Sequence, residues 1–336
     1  NHVIYSDGSD ISKIDGGAIF ATGHDVTITD STFTDCTASN MGGAIYTLGD
    51  NNIIKNTTFT NNKASEDGGA LYVLGNGTKL YDSTFTDNVA GDDGGAICWN
   101  GDDGTIYNIT CNNNTGICNG DSNSRGGTIS LTGNNVNINK SSITSGRVVY
   151  SAGSDSSKID GGAMFITGDN IIISDTNFTD CTASNDGGAI YALGNNVEII
   201  NSIFTNNEVT EDGGALYISG ENCKIYNSTL NDNRAGDDGG AIYWEGANGI
   251  IDGCDFTDNK GLSAGNPSDP STSKGGTLRV TGDKLSILNS NFTRSITYNR
   301  DDNNVGGAIF ITGDDVDIES CNFDECTASD ADGGTI

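Results

Sequence analysis

The sequence predicts an all-β fold, a right-handed parallel β-helix (β-solenoid) of about 26 residues and three short strands per coil. Three observations carry that expectation. Gly-Gly pairs recur at 16, 42, 68, 94, 126, 161, 187, 213, 239, 275, 306 and 333, most of them 26 residues apart. Within each interval apolar residues alternate with polar ones, the period of a strand. A single Gly returns seven positions after each of the first eleven pairs, from Gly23 to Gly313.

Positions are counted from the first Gly of a pair. Position +3 is apolar every time, from Ile19 to Ile309, and +5 is small or apolar in all units but one, Thr47. Position +12 is always Ile or Leu, and +17 is Phe33, Phe59, Phe85, Cys111, Ile143, Phe178, Phe204, Leu230, Phe256, Phe292 and Phe323. Apolar positions at +3 and +5, near +12, and at +15 and +17 are read as three inward-facing strands. The Gly columns mark turns with positive φ or close backbone approach. Nothing supports a helix. A three-strand unit cannot bury its own apolar set, whereas coils stacked ~4.8 Å apart can, each residue lying on its own copy. Propeller blades need ~40 residues and are excluded by length. The right hand follows from the chirality of parallel connections.

A longer period lies over the short one. Gly16, Gly161 and Gly306 are 145 residues apart, and Asp35-Cys36-Thr37-Ala38 returns at 180–183 and, with Glu325 first, at 325–328. The chain is read as one continuous β-helix, 1–336, with five-coil super-repeats at 1–145, 146–293 and 294–336, the last partial. Longer units place insertions at about 112–125, 144–160, 259–274 and 293–305, on one side of the rod.

Gly-Gly-Ala-Ile (16–19, 42–45, 94–97, 187–190, 239–242, 306–309) is followed by Phe-x-x-Asn (Phe59 to Asn62, Phe85 to Asn88, Phe204 to Asn207, Phe256 to Asn259). This pairing resembles the repeat motif of chlamydial polymorphic outer membrane proteins and of adhesin-like surface proteins of methanogenic archaea, over essentially the whole chain. The resemblance implies an extracellular β-helical stalk involved in adhesion. Cys36, Cys181 and Cys326 stand where the motif has Asn, and Gly146 and Ser295 also depart from it.

The formal charge is −30, with 16 Lys+Arg against 46 Asp+Glu. That excludes a nucleic-acid partner and disfavours an anionic membrane surface. No apolar run is long enough for a membrane span. With His only at 2 and 24, His-based triads and metal sites are nearly excluded. The expected function is therefore a non-enzymatic, adhesin-like solenoid at the cell surface, with a subunit of a self-assembling extracellular filament or sheath as the alternative. A second alternative is a β-helical polysaccharide lyase or hydrolase, with Asp residues holding Ca²⁺ and an Arg or Lys as base. Its best candidate cluster is Arg279, Asp283 and Lys284 above Asp314 and Asp315. Expected partners are copies of the chain, end to end or side by side, and carbohydrate or protein of another cell.

Candidate sites follow from the columns. Position +4 gives an aromatic strip, Phe20, Tyr46, Tyr72, Phe165, Tyr191, Tyr217, Tyr243 and Phe310, suited to sugar rings or protein, or simply to stabilising the sheet. Acidic doublets before the Gly pairs, Glu66-Asp67, Asp92-Asp93, Glu211-Asp212 and Asp237-Asp238, stack like charges that Ca²⁺ can relieve, although no cofactor is required. Basic residues gather in the irregular coils, including Arg125, Arg147, Lys274 and Arg279, and suggest lateral association with an acidic ridge. Sequons stand at Asn56, Asn76, Asn108, Asn113, Asn139, Asn177, Asn227 and Asn291. Of nine cysteines, Cys111 and Cys118 are the one pair read as a candidate disulfide.

Overall fold

Asn, Asp and Gly tolerate the left-handed backbone region, and they set the corners of every coil. In the coil beginning at Gly42, φ is positive at Gly42, Asn51, Asn56 and Asn61. Short strands run between these corners: Ile45–Thr47, Ile53–Lys55, Thr58–Thr60 and Lys63–Ala64. The computed structural model describes residues 15–118, 124–150, 159–262, 273–299 and 306–330, and among them this pattern repeats as a parallel β-helix. Corresponding strands form four parallel sheets of eleven strands, with a further two-stranded sheet, Ser124–Arg125 against Ile159–Asp160. The inserted segments at 119–123, 151–158, 263–272 and 300–305 lie outside the described residues.

The expected count of three strands is corrected to four. The fourth strand of a regular coil is only two residues long, as in Thr37–Ala38 and Lys63–Ala64. Two residues show no alternation, so periodicity missed them.

Register is in phase from coil to coil: Phe33 lies on Phe59 and Phe59 on Phe85. The inward rings stack, Phe59 and Phe85 with centroids 4.6 Å apart, and Trp99 and Trp244 are fully buried. The second Gly of each pair is demanded by space. A Cβ on Gly43 would sit 2.0 Å from the carbonyl oxygen of Gly69 in the next coil.

Corners create N–H groups that no neighbouring strand can accept, and buried orphans are costly. Side-chain ladders take them. At +20, Asn62 N–H donates to Asn88 Oδ1 at 3.0 Å, Asn62 Nδ2 donates to the same oxygen at 2.9 Å, and Asn88 Nδ2 donates to the Phe59 carbonyl at 3.2 Å and to Asn114 Oδ1 at 3.0 Å. The ladder starts at Cys36, stops at Asn114 where the next coil has Gly146, and restarts from Cys181 through Asn207, Asn233 and Asn259. A hydroxyl ladder does the same at +15, with Thr57 N–H on Ser83 Oγ and Ser202 N–H on Ser228 Oγ, both 3.1 Å. Position +15 is therefore a largely polar interior column, with Ile109, Cys254 and Cys321 the exceptions, rather than the apolar one read from the sequence.

The expected Cys111–Cys118 disulfide is also corrected: no disulfide joins the two. Cys111 is an inward core residue, whereas Cys118 belongs to a separate cluster with Val148 and Ile159.

Because Asn88 is buried with its amide fully bonded, Asn88→Ala orphans several groups in one step. It is expected to lower unfolding free energy by about 3 kcal/mol or more, at 1–3 kcal/mol per buried orphan. Asn61→Ala, at an exposed corner, is expected to cost about 1 kcal/mol or less. Urea denaturation of the two variants checks the difference.

Candidate functional site

The first sheet carries the +4 column on its outer face. Strand register places Phe20, Tyr46, Tyr72, Cys98, Ser130, Phe165, Tyr191, Tyr217, Tyr243, Arg279 and Phe310 in one line. The rings stack on each other, Tyr46 on Tyr72 at 4.9 Å and Tyr217 on Tyr243 at 4.8 Å. Each ring's faces are thus taken by its neighbours. The exposure expected of the strip is corrected accordingly: Phe20 at the end is 51% exposed, but Tyr46, Tyr72 and Phe165 are 8%, 6% and 4%. What the strip offers a ligand is ring edges and phenol oxygens.

Beside it runs the column just before the Gly pairs. Asp67, Asp93, Asp212 and Asp238 of the acidic doublets stand here, and so do Asp15, Asp160 and Asp186, which follow non-acidic residues and carry no doublet signal in the sequence. These carboxylates form a ladder of their own. Asp67 Oδ1 accepts from Asp93 N–H at 3.1 Å, Asp93 Oδ1 from Arg125 N–H at 2.8 Å, Asp212 Oδ1 from Asp238 N–H at 2.9 Å and Asp238 Oδ1 from Lys274 N–H at 2.7 Å. The other members of the doublets, Glu66, Asp92, Glu211 and Asp237, lie one residue earlier.

In the second super-repeat the two columns converge. Carboxylate oxygens of Asp212, Asp237 and Asp238 lie within 4.8 Å of one another. Three carboxylate oxygens gathered this closely form a group that could hold a metal ion, and hard oxygen donors suit Ca²⁺. Arg279 Nε donates to Asp238 Oδ2 at 3.2 Å, and its guanidinium lies 4.6 Å from the Phe310 ring centroid. The first super-repeat has a counterpart: Arg125 Nε donates to Asp160 Oδ2 at 3.1 Å and its guanidinium lies 4.8 Å from the Phe165 centroid. The fifth coil of each block thus returns an arginine to the carboxylate ridge of its own chain. That geometry serves charge balance within one molecule.

The structure does not assemble the cluster expected of Arg279 with Asp283 and Lys284. Arg279 turns to Asp238, while Lys284 takes a left-handed corner and Asp283 Oδ1 accepts from Asp314 N–H at 2.7 Å. Six sequon asparagines are exposed, while Asn113 and Asn139 are half-buried. Asn56 and Asn108 sit at left-handed corners with Nδ2 bonded to Asp30 and Asp82 of the coil before.

Stacked carboxylates hold protons. Burial first, then Asp92 and Asp67, pushes Asp93 up to about 8; burial first, then Asp186, Asp238 and Asp237, against the opposing Asp238 N–H bond, pushes Asp212 up to about 8. Asp92 and Asp186 are raised to about 7, again mainly by burial. A folded-state value above the unfolded one means that the native state binds the proton more tightly. These groups therefore contribute stability that is fully present below about pH 4 and is lost as pH rises through 7 to 8. In calcium-free buffer, Tm is expected to fall steadily from about pH 5 to about pH 9, and Asp93→Asn with Asp212→Asn to flatten that slope. A Tm that rises over this range contradicts the ladder electrostatics.

The chain matches the right-handed β-helix region family over residues 3–163 and 162–336. No curated protein matches it. Among solved structures it is similar to a mannuronic acid specific polysaccharide family 6 lyase from human gut microbiota, at 10% identity and TM-score 0.48, covering 91% of this chain and 78% of that one. It is also similar to the PL6 family alginate lyase AlyGC (12%, TM-score 0.46, 96% of this chain and 51% of that one), so it spans about half of that enzyme's length. A PL6 alginate lyase in complex with a trisaccharide gives 12% identity and TM-score 0.43, covering 94% and 80%. At such identities the likeness is one of architecture. The expectation of a non-enzymatic adhesin-like stalk is corrected only to this extent: the solved structures similar to this chain are described as polysaccharide lyases. The match over both halves settles the family: the chain belongs to the right-handed β-helix region family.

Proposed function

We propose that the chain cleaves an acidic polysaccharide lying along the outer face of the first sheet, by elimination, with a divalent cation such as Ca²⁺ held by Asp212, Asp237 and Asp238. The observation that supports this reading is the convergence of those three carboxylates with Arg279 beside the phenol edges of Tyr217 and Tyr243. A chain of charge −30 opposes the approach of a polyuronate, and a cation at this carboxylate cluster offsets that repulsion locally. When bound, the cation supplies neutralisation of a uronate carboxylate, which acidifies the neighbouring C–H.

The chain's own residues do the rest. Arg279 is a positioning residue: its bond to Asp238 holds one ligand of the set in place. Lys274, whose backbone N–H is bonded to Asp238 Oδ1 and whose Nζ lies 5.8 Å from the Phe310 ring centroid, is the proposed acceptor, as the neutral amine, of the proton beside the uronate carboxylate. The C–H electron pair forms the new C=C bond while the glycosidic C–O bond breaks and its oxygen leaves with a proton from water. Tyr hydroxyls along the strip suit sugar hydroxyls, since the ring faces are already occupied.

The test is an assay against polyuronates, alginate among them, and a neutral glucan. Unsaturated uronate ends are expected to form with Ca²⁺ present and to cease on chelation. Asp212→Asn or Asp238→Asn is expected to cost roughly 10–100-fold in activity or cation affinity. Lys274→Met is expected to abolish turnover and leave cation binding intact. Saturated products insensitive to chelation, or no cleavage by protein shown to bind Ca²⁺, overturn the reading.

A further inference from the structure

Away from the first sheet, on the fourth, two cations stand side by side in a chain that is otherwise strongly acidic. Arg234 and Lys260 are register partners in neighbouring coils, so their backbones are only ~4.8 Å apart. Among the described residues neither makes an ion pair within 4 Å. Asp232 and Glu208 line the same hollow as the two cations, but neither forms an ion pair with them within 4 Å. Asp258 is held by both Nε and Nη2 of Arg294, at 2.7 and 2.6 Å, and Glu208, the register partner of Arg234 on its other side, forms no ion pair with it. Adjacent like charges repel, and an anion between them removes that cost.

The surroundings specify what kind of anion. Arg234 lies between two hollows. One, of 220 Å³, is polar and lined by Asn206, Asp232 and Lys260. The other, of 370 Å³, is lined by Val209, Gly236, Leu262 and Tyr298. Tyr298 is 43% exposed and, unlike the tyrosines of the first-sheet strip, stacks on no other ring among the described residues. Its register neighbours are Leu262 and Ser329 rather than rings, and an exposed aromatic ring beside an apolar neighbour accepts the C–H face of a sugar ring. Glu208 borders both hollows and offers a carboxylate to sugar hydroxyls.

We infer that the fourth sheet carries a binding site for a uronate residue, its carboxylate between Arg234 and Lys260 and its ring on Tyr298. The site is not a product of the repeat: the first super-repeat has Val89 and Thr115 where the second has Arg234 and Lys260. It goes beyond the cleavage reading, because it lies on another sheet and uses none of the residues assigned to that reaction. It gives the chain a second hold on an acidic glycan, independent of any cation.

Titration of the full chain with an oligouronate, and with a neutral oligosaccharide of equal length, in the presence of chelator tests the site. The oligouronate is expected to bind and the neutral sugar to bind at least roughly tenfold more weakly. Arg234→Ala with Lys260→Ala is expected to lose roughly tenfold or more in affinity, and Tyr298→Phe to retain binding where Tyr298→Ala loses it. All these side chains are wholly or partly exposed, so circular dichroism and Tm are expected to stay at wild-type values. Asp212→Asn is expected to leave this binding unchanged, which separates the site from the proposed cleavage centre. Equal affinity for neutral and acidic sugars, or wild-type affinity in the double variant, overturns the inference.

Discussion

Everything in this molecule depends on coils stacking in register, so that each side chain meets its own counterpart one coil away. Parallel pairing of three-residue strands gives little grip by itself. What makes it specific is that each column repeats one chemistry: Phe on Phe, Asn on Asn, hydroxyl on hydroxyl. A slip of one residue would bring apolar side chains to the surface and strand the corner N–H groups at once. The ladders and the core therefore enforce the same alignment.

The same constraint creates the functional surface. Stacking is favourable for rings and amides but unfavourable for carboxylates, and the column before the Gly pairs accepts that cost along much of its length. Asp93 and Asp212 each take the next coil's N–H, which fixes them close to neighbours of like charge. The resulting sites answer the excess differently. Arg125 and Arg279 neutralise the ridge at the fifth coil of each block, while Asp212, Asp237 and Asp238 remain gathered as an oxygen cluster. The chemistry proposed here arises where an otherwise regular column is interrupted.

Much of the fold was legible because a solenoid writes its contacts as periodicity. The spacing from Phe59 to Phe85 is the contact between them. Two-residue strands such as Lys63–Ala64 were not legible, because alternation needs more residues than they have. Ser and Thr at +15 were misread as apolar positions, since the hydrogen bonds that bury Ser83 and Ser202 join different coils. Gly104 and Gly249 make a subtler case: each clears space for the indole of Trp99 or Trp244, a pairing visible only once both are placed.

The candidate site was half legible. Its acidic doublets announced themselves, but the partners of Arg279 did not, because the chain alone favoured its neighbours Asp283 and Lys284 over Asp238, 41 residues away. The strip was found and its exposure misjudged, since periodicity gives direction and not cover. The central claim, register stacking along one axis, is tested most directly by pulsed electron spin resonance between labels attached through non-native reactive side chains at Thr32, Asn177 and Asn291. These three positions occupy one outward column of the third sheet, in its first, sixth and tenth strands. The Thr32–Asn177 and Thr32–Asn291 distances are expected near ~24 Å and ~43 Å, five and nine coil spacings. Distances that do not grow in proportion to the number of coils contradict the account.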